Sequence, residues 1–133
     1  VGCMSPQDYE KYIMPHTRRI IGGLKETGVP IINFTTGTST LLDSVAKAGG
    51  DVISFDWRVN IDDAWEKIGV DRSIQGNLDP TLLFAPIPVI RDRVHDIMKR
   101  VSGRPGHIFN LGHGITPDAD PSNVTKMIEA IRN

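Results

Sequence analysis

A histidine flanked by two glycines is the residue of this sequence best suited to proton transfer or carboxylate binding. His113 follows the segment 107–111 (HIFNL), the last predicted strand, and stands between Gly112 and Gly114. Imidazole has an ordinary pKa near neutral pH, so it can relay a proton or donate a hydrogen bond to a carboxylate. The glycines remove side-chain bulk, which would let a large, flat ligand reach the ring. From the residues alone, a pure turn role is equally open.

Other polar groups follow two further apolar stretches. Asn77 and Asp79 belong to the segment 75–80 (QGNLDP), whose composition is typical of a turn. We expect them to order that loop, with substrate binding as the weaker alternative. Asp56 and Arg58 flank a tryptophan after another apolar run, and they could pair, cap the following helix or take part in a site.

Short apolar runs between helical stretches must position these groups. The nearly continuous apolar run 29–34 (VPIINF) is typical of a strand buried on both faces of a parallel sheet. Alternation of strands and helices favours a parallel sheet with right-handed crossovers, whose loops after the strands carry the chemistry. The predicted strands are 30–35, 51–55, 73–76 and 107–111.

Capping residues and apolar periodicity predict the helices. The first helix begins after Ser5, an N-cap residue that is followed by a proline and by an acidic residue in the first turn. It ends at Gly28 and should kink at Pro15. The threonine-rich stretch 35–40 could bind an anion at a helix N-terminus, and a helix cap explains it equally well. Further helices are expected at 38–48, 60–68, after Pro80, at 88–101 and at 121–132. Their apolar faces, and that of the first helix, are expected to bury Ile20, Leu24, Val89 and Ile128, among others.

The composition is that of an ordinary globular domain. Of 133 residues, 39% are hydrophobic and 23% are charged, and the net charge is −1. Neither nucleic acid nor an anionic membrane surface is therefore expected as a partner, and no apolar run approaches the ~20 residues that cross a bilayer. The single cysteine, Cys3, excludes an internal disulfide and a multi-thiolate metal site, and it is consistent with a reducing cytosol.

Several separated motifs together resemble the uroporphyrinogen decarboxylase family. The most specific is HIFNLGHGITPDADPSNV at 107–124, joined by QGNLDP at 75–80 and FDWR at 55–58. The segments 29–34 (VPIINF) and 48–57 (AGGDVISFDW) are similar to that family's fifth and sixth barrel strands. The resemblance implies an α/β fold in which residues 1–133 form four parallel βα units, the second half of a TIM (β/α)8 barrel.

The resemblance also implies an activity. Enzymes of this family are carboxy-lyases that remove the four acetate carboxyl groups of uroporphyrinogen, giving coproporphyrinogen without a metal or organic cofactor. The family's key aspartate, arginines, tyrosine and serine would lie upstream of this sequence, so we expect the chain alone to be inactive. The full-length protein is expected to be a cytoplasmic homodimer. The substrate-binding candidates are His113 and, as weaker ones, Asn77, Asp79, Gly112 and Gly114.

Two alternatives were weighed against this interpretation. One is a non-catalytic half-barrel that serves as a binding or assembly module. The other is a zinc- and cobalamin-dependent methyltransferase of the same superfamily, which would place a His-x-Cys pair at the end of the first strand. Positions 33–36 read Asn-Phe-Thr-Thr here, and His113 has no cysteine near it in the sequence. We therefore reject the methyltransferase and keep the module as the runner-up.

Overall fold

Four strands form one parallel sheet. The computed structural model describes residues 2–37 and 39–132. The strands are β1 (Ile32–Phe34), β2 (Val52–Ser54), β3 (Ser73–Leu78) and β4 (His107–Leu111), and they lie in the sheet in chain order. Ile32 pairs with Val52, Val52 with Ser73, and Ile74 with His107. The predicted α/β fold with four parallel strands is confirmed, although β1 and β2 are shorter and β3 is longer than expected.

The leading segment is helical and follows the predicted caps. It comprises α1 (Pro6–Asp8), a π-helical turn (Tyr9–Ile13), α2 (Met14–Leu24) and a 3₁₀ turn (Lys25–Thr27). The Ser5 hydroxyl accepts a hydrogen bond from the Asp8 nitrogen at 3.1 Å, and Gly28 closes the segment with a left-handed φ of 70°. Pro15 lies in the first turn of α2, so the irregularity expected at this proline occurs just before it, in the π-helical turn.

The other helices alternate with the strands. They are α3 (Leu42–Ala48), α4 (Ile61–Ile68), a 3₁₀ turn (Pro80–Phe84), α5 (Ile87–Val101) and α6 (Pro121–Arg132). The helix expected at 38–48 begins later, at Leu42, and its predicted first residue, Thr38, lies outside the described residues. Across the part of the chain that the structure describes, no helix is long and apolar enough to span a membrane.

The core lies between the helices and one face of the sheet. A first cluster joins α3, α4 and the π-helical turn to the outer side chains of β2 and β3, and a second joins α5 and α6 to the end of β3. Trp65 on α4 is fully buried, and its indole nitrogen donates to the Arg72 carbonyl at 2.8 Å. The central side chains are Val45, Ile53, Trp65 and Ile74 in the first cluster, and Leu83, Ile90, Val94 and Met127 in the second.

The opposite face of the sheet is exposed at its edge strands. Ile32 and Phe34 on β1 are 46% and 45% exposed, and Ile108 on β4 is 43% exposed. Asn33 points the other way and is buried, and its amide donates to the Val45 and Gly49 carbonyls at 3.3 and 2.9 Å. The expectation that 29–34 is buried on both faces is therefore wrong, because the helices cover only the face that carries Asn33.

Some helical positions expected in the core are also exposed. Three of them adjoin a buried neighbour in the sequence (Ile21, Ile90 or Met127), and Leu24 lies one helical turn after the buried Ile21. The buried stripe of each helix is therefore narrower than its apolar stripe, and the expectation is wrong at Ile20, Leu24, Val89 and Ile128.

Candidate functional site

His113 lies just beyond the end of β4, at the rim of the sheet, and is exposed. Its ring meets that of Phe34 edge-on, with centroids 6.4 Å apart and planes at 71°. The preceding nitrogen, that of Gly112, donates to the Leu78 carbonyl at 2.7 Å and continues the pairing of β3 with β4 up to the histidine. Three strands thus position one imidazole.

Two open cavities adjoin this ring. The first, here called the rim cavity, has a volume of about 820 Å³, and the second, the sheet cavity, has about 630 Å³. Both volumes fall in the range typical of small-molecule sites. The rim cavity is lined by residues that include Trp57, Arg58, Pro80, Thr81, His113 and Gly114. The sheet cavity is lined by residues that include Ile32, Phe34, Ser54, Gln75, His113 and Met127.

The two glycines beside His113 have different surroundings. A Cβ at Gly112 would stand 2.7 Å from the Trp57 nitrogen and 3.0 Å from the Trp57 ring atom Cε3, which is closer than real Cβ contacts. A Cβ at Gly114 would meet nothing within 4 Å. Gly112 is therefore required for packing between two loops, whereas Gly114 leaves the space beside the imidazole open. Roles of either glycine in substrate binding stay a prediction.

Asp56 ties the loops after β1 and β2 together. Its side chain is 1% exposed and accepts hydrogen bonds from the Gly37 nitrogen, from the Arg58 nitrogen at 3.0 Å and from Arg58 Nη1 at 2.6 Å. The pairing of Asp56 with Arg58 considered from the sequence is thus present. These charge-assisted bonds offset the cost of burying a carboxylate. In the stretch 35–40, which could bind an anion, the Gly37 amide therefore binds a carboxylate of the protein itself.

Asn77 and Asp79 both bond within their loops. The Asn77 side chain is buried and donates to the Asp56 and Val59 carbonyls at 3.0 and 2.7 Å. Asp79 caps the 3₁₀ turn, accepting from the Thr81 nitrogen at 2.9 Å and hydroxyl at 2.8 Å. This geometry favours the loop-ordering role for both residues, and substrate contact by either stays a prediction.

Arg58 is a residue for which the sequence left a structural role and a site role equally open. Its guanidinium lies over the Trp57 ring, 4.5 Å from the centroid, and its side chain is 51% exposed at the rim cavity. The signal that could have found it is the adjacent Trp-Arg pair directly after a strand end.

His107 lies at the start of β4 and serves the fold. Its Nε2 atom is 2.9 Å from the Gly76 carbonyl oxygen. Burial lowers the pKa of His107, and the bond to Gly76 opposes that shift without cancelling it. The neutral imidazole is therefore favoured here, with its Nε2–H donating to Gly76.

Metal-ligating side chains do not cluster in the described structure. Within residues 2–37 and 39–132, no three histidine, cysteine, aspartate or glutamate side chains come together in a way that could hold a metal ion.

A solved structure supports the fold. A methyltransferase from Methanosarcina mazei superposes with a TM-score of 0.78 at 20% sequence identity, over 97% of this chain and 37% of that protein. At this identity the likeness concerns the fold alone, and the fold is the one the four parallel βα units indicate.

Sequence comparisons identify the family. The family model described as uroporphyrinogen decarboxylase (URO-D) matches residues 1–133. The uroporphyrinogen decarboxylase of Carboxydothermus hydrogenoformans is 52% identical over 131 residues, which are 98% of this chain and 37% of that relative. That of Geotalea uraniireducens is 50% identical over 130 residues, 98% of this chain and 38% of the relative. The chain thus spans little more than a third of the length of these relatives, and it belongs to the uroporphyrinogen decarboxylase family.

Proposed function

We propose that this chain is the C-terminal part of a uroporphyrinogen decarboxylase, which removes the four acetate carboxyl groups of uroporphyrinogen to give coproporphyrinogen. The observation that carries the proposal is the position of His113. Its ring is exposed at the rim of β4. It lies beside the rim cavity, whose lining includes Arg58 and Thr81, and beside the sheet cavity, whose lining is largely apolar. This arrangement is complementary to a flat tetrapyrrole with carboxylates at its edge. The ring requires an apolar surface, and the carboxylates require hydrogen-bond donors.

Each decarboxylation protonates a pyrrole ring carbon and breaks the bond between the acetate methylene and its carboxyl carbon, which releases carbon dioxide. The resulting methylene carbon is then protonated to a methyl group, and the ring carbon loses its added proton to restore the pyrrole. His113 can donate a hydrogen bond to a substrate carboxylate or deliver a proton, because imidazole is both a hydrogen-bond donor and a general acid–base group. The reaction also needs a carboxylate near the pyrrole nitrogens to stabilise developing positive charge. Asp56 does not suit that role, because it is buried and already bonded to two backbone amides and to Arg58. We assign that role to the family's key aspartate, outside this sequence.

The remaining properties of the full-length protein are proposed on the family resemblance alone. We propose a cytoplasmic homodimer that needs no metal or organic cofactor. Its partner is the porphyrinogen substrate.

A second candidate function is a non-catalytic half-barrel that binds a partner or assembles. The exposed apolar side chains of β1 and β4 favour it, because strand edges and apolar faces promote association. The methyl transfer named for the structural neighbour is not proposed for this chain.

Turnover of uroporphyrinogen separates the two functions. The full-length parent and the 133-residue chain are each incubated with reduced substrate, and the products are resolved by their number of carboxyl groups. We expect successive loss of four carboxyl groups with the parent and none with the chain alone. A folded parent that binds the porphyrinogen without releasing carbon dioxide would instead support the binding module.

A further inference from the structure

We propose that Arg58 is a substrate-binding residue that donates hydrogen bonds to a carboxylate of the tetrapyrrole in the rim cavity. This inference rests on the proposed function and adds to it a second polar contact, on a different strand end from His113.

The guanidinium of Arg58 is held at one edge by a buried anion. Its Nη1 atom lies 2.6 Å from Asp56 Oδ2, and the two side chains are 51% and 1% exposed. Asp56 is fixed in turn by the backbone nitrogens of Gly37 and Arg58. Because the partner carboxylate is buried and fixed, the ion pair holds the arginine in place where it lines the rim cavity.

The flat face of the same guanidinium is held by an aromatic ring. The Trp57 ring centroid is 4.5 Å from the central carbon of the guanidinium, which is within the range of a cation–π contact. An arginine fixed at one edge and one face loses little further freedom when it binds a ligand. The group is therefore organised before substrate arrives.

The guanidinium of Arg58 carries more donors than its side-chain partner uses among residues 2–37 and 39–132. An arginine side chain carries five N–H donors, and Asp56 is the one side chain among residues 2–37 and 39–132 that accepts a hydrogen bond from it. Arg58 lines the rim cavity together with Thr81 and His113. A planar fork of N–H groups matches the two oxygens of a carboxylate, so the chemistry favours a carboxylate as the bound group.

A purely structural role for Arg58 makes a different prediction. Because Arg58 is already paired with Asp56, the proposed recognition relies on the direction of its N–H groups as well as on its charge. Lysine at position 58 would keep a cation beside Asp56 but would lack the planar fork and the stacking on Trp57. If Arg58 only balances Asp56, Arg58→Lys should behave like the parent in every assay.

The test is steady-state turnover of uroporphyrinogen by the full-length parent, by Arg58→Lys and by Arg58→Gln, each with a thermal melt. The control is Arg91→Gln, which removes the same charge from an exposed position on α5. We expect Arg58→Lys to melt close to the parent and to raise KM roughly tenfold, with a much smaller change in kcat. Arg58→Gln should raise KM at least as much, and the control should change neither constant.

The outcomes separate the two proposals. An active parent whose KM is unchanged in a folded Arg58→Lys variant overturns the role of Arg58 and leaves the decarboxylase intact. A folded parent without turnover overturns the proposed function itself. If Arg58→Gln fails to fold, the comparison of Arg58→Lys with the parent still decides whether Arg58 binds the substrate.

Discussion

Gly112 packs against the backbone of Trp57 so closely that a Cβ at position 112 would stand 2.7 Å from the Trp57 nitrogen. This contact joins the loop that carries His113 to the loop that carries Arg58. The distance between the two proposed substrate-binding groups is therefore set by a residue that has no side chain.

Replacing Gly112 with alanine should destabilise the protein. The added methyl group meets backbone and ring atoms that cannot easily give way, and overpacking of this kind costs about 1–3 kcal/mol of the free energy of unfolding. Gly114→Ala is the matched control, because nothing lies within 4 Å of its added Cβ. Urea denaturation of the full-length parent and both variants measures the difference. Equal stability of the two variants would show that the loops are not tightly joined.

Replacing His113 with alanine should lower decarboxylation without unfolding the protein. The ring is exposed, and its aromatic contact is a single edge-on approach to Phe34, so little packing is lost. Loss of a hydrogen bond to a charged group is worth about 1.5–3 kcal/mol, or roughly a tenfold to hundredfold decrease in rate or binding.

The His113→Asn variant should fall between the parent and His113→Ala, because an amide keeps part of the hydrogen bonding. Steady-state turnover and a thermal melt on the same samples check both variants. Unchanged turnover would reduce His113 to a turn residue, and a collapse of the melting temperature would make its role structural.

Replacing Asn77 with alanine should destabilise the loops around the rim cavity. The variant leaves the carbonyls of Asp56 and Val59 without their donor, and each unsatisfied buried group costs about 1–3 kcal/mol. Asn110→Ala is the control, since Asn110 is exposed to water on β4. We expect a large fall in the urea midpoint for Asn77→Ala and a small one for the control. The opposite order would contradict the loop-ordering role.

The stability of the protein should fall in mildly acidic solution because of His107. Burial lowers the pKa of this imidazole below its ordinary value of about 6.5. The unfolded chain therefore takes up a proton at a higher pH than the folded one. The free energy of unfolding is fully retained above pH ~6.5, and it falls as the pH drops from there towards the lowered pKa.

The His107→Gln variant isolates this effect. Glutamine can still donate to the Gly76 carbonyl but does not titrate, so the stability of the variant should depend less on pH in this window. His95→Gln, on the exposed side of α5, is the control. Chemical denaturation at several pH values measures the slope, and the same slope in the parent and His107→Gln would rule out His107 as its source.

Much of the fold follows from local signals. The strand predicted at 107–111 has the same bounds as β4. The caps at Ser5 and Gly28 bound the leading helical segment as predicted. The exposure of Ile32 and Phe34 could not be predicted in this way. An apolar run does not show which of its faces will be covered, since that depends on the rest of the structure.

The site was less predictable than the fold. The glycines around His113 suggested ligand access, yet Gly112 serves a contact with Trp57, which is distant in the sequence. Asn77 lies in a segment with the composition of a turn. In the structure its side chain is buried, and its amide donates to two carbonyls of the loop that follows β2. Such roles depend on which loops meet, and spacing along the chain does not reveal that.

The order of the strands has a consequence for how the chain folds. In the described sheet β1 pairs with β2, β2 with β3, and β3 with β4, so each new strand finds its partner in the βα unit made just before it. Pairing between consecutive units closes shorter loops than pairing between distant units would, and a shorter loop costs less conformational entropy to close. During synthesis, β2, β3 and β4 each therefore find a partner strand that the ribosome has already made.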